Sequence, residues 1–144
     1  MNSFISDHEQ ALHTSLAGFN HRVTLNGETQ GPISETTDSE KWQELWKVLR
    51  QANPQKPALL GKFNVIEENG KQQYHALDSS ITLRHLAINK DSGKIDALLR
   101  ERNPLFESRK HIHFNIDSGI TLNGYQKVFM QKAQTYRIDY RWIP

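Results

Sequence analysis

A chain of 144 residues with no cysteine, 36% hydrophobic residues and a net charge of +2 has the size of one domain, able to bury about two-thirds of its unfolded surface. The missing cysteine excludes disulfides, thiolate metal sites and a cysteine nucleophile. A mean hydropathy of −0.71 forecasts a thin core filled out by six Phe, four Tyr and three Trp, and so small a net charge does not by itself imply a nucleic-acid or membrane partner.

In the first twenty residues, Asp7, His8 and Glu9 interrupt the apolar run that a signal peptide needs. With no window of roughly 18 apolar residues anywhere, the expected location is cytoplasmic. Ser6 and Glu9 have capping-box spacing, and Phe4/Ile5, Leu12, Leu16 and Phe19 recur at helical intervals, which predicts a first helix ending near Gly18. His8 and His13 are five apart, on different faces of such a helix, and share no ligand role. Residues 26–38 (NGETQGPISETTD) carry Gly, Pro and small polar residues without an apolar period and read as a surface loop.

Thr37 and Glu40 form a second capping-box pattern ahead of Trp42, Leu45, Trp46 and Leu49, one face of a helix over about 39–52 that Asn53-Pro54 stops. Its tryptophans are expected to pack on a sheet. Asn69-Gly70 between two extended runs predicts a tight hairpin that pairs Val65 with Tyr74, Phe63 with Ala76 and Asn64 with His75. The segment SSITLRHLAI, with His85, fits neither the helical nor the strand period. KIDALLRERN, with Ile95, Leu98 and Leu99 on one helical face before Asn103-Pro104, reads as a short helix.

From His111 to the end the pattern is β, with Ser118-Gly119 and Asn123-Gly124 competing as turns that set different registers. The expected fold is α+β in two layers, a single domain over 1–144. Its antiparallel sheet of four to six strands, the hairpin plus a C-terminal meander, is packed on one face by two to three helices.

The meander also holds most of the chemistry. Between Arg109 and Pro144 stand six positive residues against two negative ones, Asp117 and Asp139. Strand alternation puts Ile112, Phe114 and Ile116 on one side of HIHFNID and His111, His113, Asn115 and Asp117 on the other. It likewise separates Tyr136, Ile138, Tyr140 and Trp142 from Arg137, Asp139 and Arg141. A wet sheet face would explain this without any function.

The functional expectation is a small non-enzymatic binding or regulatory module. It acts through Arg109, Lys110, His111, His113, Asn115, Lys127, Arg137 and Arg141 on nucleic acid (RNA or single-stranded) or on a protein partner. The first alternative is a metal-independent, toxin-like ribonuclease with His111 or His113 as acid and base and Arg137 or Arg141 stabilising developing charge. The second is an inhibitor or immunity-type partner acting through the Trp42 helix or loop 26–38. His111 and His113 could also chelate zinc with Asp117 or Asp139, but no cofactor or resident metal is expected. The lean core would also suit a homodimer. The absence of GxGxxG, GxxxxGK[ST], HExxH and GxSxG disfavours dinucleotide enzymes, P-loop ATPases, zincins and α/β hydrolases.

Overall fold

Alternation of apolar and polar residues, interrupted by Asn-Gly and Asx turns, folds most of this chain into strands. A computed structural model describes residues 2–144, with side chains from Ile5 onward; the side chain of Phe4 lies outside the described residues. Helix α1 (Asn2–Ser15) precedes the hairpin of β1 (Gly18–Leu25) and β2 (Glu28–Glu35), and α2 (Glu40–Arg50) follows it. Strands β3 (Phe63–Glu68), β4 (Lys71–Ala76), β5 (Leu83–Asn89), β6 (Lys94–Asn103), β7 (Phe106–Asn115), β8 (Gly119–Val128) and β9 (Gln134–Ile143) complete the chain. All nine form one antiparallel sheet in the order β2-β1-β9-β8-β7-β6-β5-β4-β3. The sheet is thus a seven-strand meander whose last strand, β9, takes β1 as its outer neighbour.

Helix α2 forms as its spacing predicts. Trp42, Leu45, Trp46 and Leu49, at i, i+3, i+4 and i+7, are all at most 1% exposed. The Trp46 ring lies 5.8 Å from Phe114 and stacks at 6.5 Å on Trp142, while Trp42 meets Phe19 at 5.8 Å. Such ring pairs add about 0.5–1.5 kcal/mol each beyond the area they bury. Beneath them Leu86, Ile88, Ile95, Ala97, Ile112, Ile120 and Leu122 alternate along β5 to β8, and Ile5 and Leu12 of α1 join the same cluster. The buried apolar residues are therefore concentrated in one cluster.

The predicted hairpin forms in the predicted register, Val65 opposite Tyr74 and Asn64 opposite His75, with Asn69 and Gly70 both at positive φ. Other expectations are corrected. KIDALLRERN is strand β6, not a helix: Ile95, Ala97 and Leu99 face inward at period two, and Leu98 points away from them at 38% exposure. What read as a helix stop, Asn103-Pro104, is a hairpin turn in which the Asn103 side chain accepts a hydrogen bond from the Leu105 amide. Residues 26–38 are not a loop but chiefly β2. Its Gly31-Pro32 is tolerated because β2 is an edge strand, and Asn26-Gly27 is a second positive-φ hairpin turn.

The second part of SSITLRHLAI enters β5, which begins at Leu83, and its irregular period is explained by a register shift between Leu83 and His85. The chain turns after Asn115, so Ser118-Gly119 closes the β7–β8 hairpin, whereas Asn123-Gly124 runs inside β8 opposite Arg137 and Tyr136. Neither capping box forms. Ser6 lies within α1, and the Thr37 hydroxyl donates to the His13 carbonyl while Ser39 occupies the N-cap of α2. Phe19, grouped with the first helix, is instead in β1. The sheet has nine strands rather than four to six because four segments outside the hairpin and meander also pair. No helix among the described residues is long and apolar enough to cross a membrane.

Candidate binding face

Every inward side chain of the meander fixes an outward neighbour. Burial of Ile112 and Phe114 turns His111 and His113 to the opposite face, burial of Ile95 and Ala97 turns Asp96 there, and burial of Tyr140 does the same for Asp139 and Arg141. The ladder then lines these residues up across the strands. One row runs Asp96, His113, Thr121, Asp139, Arg22, and the next His85, Leu98, His111, Asn123, Arg137.

Three clusters share a pattern of one carboxylate between two basic side chains. Asp96 Oδ1 lies 2.6 Å from His111 Nε2 and 3.2 Å from His113 Nδ1, and the two rings are 4.0 Å apart. Asp139 accepts from Arg137 Nε at 2.9 Å and lies 3.4 Å from Arg141 Nη2, with the Thr121 hydroxyl donating at 3.0 Å. Glu107 Oε1 stands 3.2 Å from Arg100 Nη2 and 3.7 Å from Arg109 Nε. Arg109 in turn covers the Tyr125 ring at 4.2 Å. Each arginine triad has two positive charges against one negative.

The imidazoles are 45% exposed and the paired arginines 43–51%, so this face is open to a ligand. Burial, the largest influence, pushes His113 below its usual value, and the charges of His111 and Arg137 push the same way against the pull of Asp96. His85 is lowered by burial and then by His75, whose ring lies 4.7 Å away. Burial opposes ionisation of Asp139, but hydrogen bonds from Arg137 and Thr121 and the charges of Arg137 and Arg141 prevail and lower its carboxyl. Arg22, Arg137, Asp139, Arg141, Asn20 and Pro32 enclose a cleft of about 260 Å³ beside this triad.

Of the residues expected to make contacts, Arg109, His111, His113, Asn115, Lys127, Arg137 and Arg141 share the outward alternation of β7 to β9. Lys110 does not. It lines a separate cavity of about 670 Å³ with Lys56, Lys62 and Leu99. Asp117 is also displaced, since β7 ends at Asn115 and Asp117 sits in the following turn, its amide bonded to the Asn115 side chain. Asp139 is engaged by the two arginines, and Asp96 is the carboxylate at the histidine pair. Sequence reasoning missed Asp96 with the rest of β6, and missed Arg22 with β1. The period-two burial of Ile95, Ala97 and Leu99 is the signal that could have found Asp96.

Asp96, His111 and His113 each offer one metal-ligand atom, all within 4.8 Å of one another. Comparison with protein-family models, curated proteins and solved structures finds no match to this chain.

Proposed function

We propose that this protein is a non-enzymatic binding module whose open sheet face takes a single-stranded nucleic acid. The observation that carries this reading is the pair of Arg–carboxylate–Arg clusters, Arg100–Glu107–Arg109 and Arg137–Asp139–Arg141. In each, two guanidiniums flank one carboxylate and one positive charge stays uncompensated, which suits a phosphate. His111 and His113 offer flat rings to unstacked bases, and Arg109, seated on the Tyr125 ring, offers a guanidinium plane. The half-exposed arginines can reach a ligand without rearranging the fold.

The test is titration of the purified protein with single-stranded RNA and DNA at low and high salt, following binding and strand cleavage together. Binding should weaken with salt, with a slope of roughly 0.7 per phosphate contacted. Arg137→Ala and Arg141→Ala should each cost about 1–3 kcal/mol of affinity. EDTA-resistant cleavage that His111→Ala abolishes would replace this reading with the ribonuclease one, His111 held by Asp96 acting as base. Neither binding nor cleavage would overturn both and direct the search to a protein partner.

A further inference from the structure

We propose that Asp96, His111 and His113 form a three-ligand site for a zinc-class divalent cation. The argument is independent of nucleic-acid binding. His111 and His113 are two residues apart on β7, so both imidazoles leave the same face, and Asp96 is the direct ladder partner of His113 on β6. The backbones that carry them are anchored from behind by Ile95, Ala97, Ile112 and Phe114, none more than 2% exposed. The three side chains therefore converge from a rigid two-strand platform rather than from loops.

The spacing suits a small cation. Zinc bound at about 2.0–2.1 Å in tetrahedral geometry sets its ligands roughly 3.3 Å apart. Asp96 Oδ1 already lies 3.2 Å from His113 Nδ1, and its 2.6 Å separation from His111 Nε2 would have to open by about 0.7 Å to match that spacing. The same oxygen is within hydrogen-bond distance of His111 Nε2, and a cation would take the place of the proton shared there. Two imidazoles with one carboxylate favour zinc, cobalt or nickel over the oxygen-seeking magnesium and calcium. The half-exposed cluster leaves a fourth position facing solvent, where water or an anionic ligand would complete the shell.

Calorimetric titration of the chelator-treated full chain with Zn²⁺ tests the site, and Co²⁺ reports its geometry by visible absorption. One equivalent should bind, with a tetrahedral cobalt spectrum. His111→Ala, His113→Ala and Asp96→Asn should each weaken binding by at least the roughly 10- to 100-fold that losing an outer-shell partner costs. His13→Ala, on α1 and paired with Asp38, should change nothing. Should a variant fail to fold, the imidazole ¹⁵N resonances of the wild type answer the same question: those of His111 and His113 should shift at one equivalent of Zn²⁺ and those of His8 and His13 should not. Absence of stoichiometric binding, or binding that persists in the His111→Ala/His113→Ala double variant, overturns the proposal. So does binding that His85→Ala alone abolishes, which would move the metal to the His75–His85 pair.

Discussion

The ring of Trp46 rests 5.8 Å from that of Phe114, and the residue preceding Phe114, His113, points from the opposite face of the same strand toward Asp96. The packing on one side of β7 and the chemistry on the other thus share one stretch of backbone. Whatever holds Phe114 in register also holds the histidine pair.

Trp46→Ala should accordingly do more than open a cavity. Trp46 is fully buried, and its truncation should cost about 3–5 kcal/mol in urea unfolding. The loosened β7 should also weaken the histidine cluster, read as a broadening of the His111 and His113 resonances. A cost below about 1 kcal/mol would mean that the helix and sheet are not packed as described.

Asp139 should set part of the acid stability. Its carboxyl is lowered from the ordinary value of 3.8 in the folded protein, where Arg137 and Thr121 bond it against the opposing effect of burial. A depressed folded value means that the unfolded chain binds the proton more readily. This contribution is present above pH 3.8 and is lost as the pH falls through the folded value. Asp139→Asn should therefore be less stable than wild type at neutral pH, and the two unfolding curves should converge below pH 3.8. A gap that is constant with pH would show that the ion pairs with Arg137 and Arg141 do not couple to folding.

Glu107→Gln separates a binding face from an inert one. The substitution frees Arg100 and Arg109 of their shared negative charge. If the face takes a nucleic acid, affinity should rise, and the salt slope should steepen by roughly 0.7 for an added phosphate contact. Fluorescence anisotropy at two salt concentrations reads both. An affinity that falls would show that Glu107 is needed to position the guanidiniums, and no change would place the ligand elsewhere.

How much of this was legible beforehand varies with the range of the interaction. Helix α2 was readable because four large apolar residues at 3.6-residue spacing admit one burial face. The β3–β4 hairpin was readable to the residue because Asn69-Gly70 fixes both turn and register. Alternation likewise separated the inward and outward residues of β7 and β9. The β5 segment was not readable, since a bulge breaks its period, and β6 was misread because Ile95 and Leu99 satisfy the helical and the strand spacing equally.

Composition and local pattern determined an antiparallel protein with a thin aromatic core and a polar, basic meander face, because turn chemistry and side-chain alternation act within a few residues. Only the tertiary structure decided which distant side chains meet. It placed β1 against β9 from the far end of the chain so that Arg22 faces Asp139, whereas the Asp96–His113 pair and the side taken by Lys110 follow from the β6–β7 hairpin and from alternation along β7. The β1–β9 partnership is fixed by which pairing buries the most apolar surface between distant parts of the chain, a global competition that no local window records.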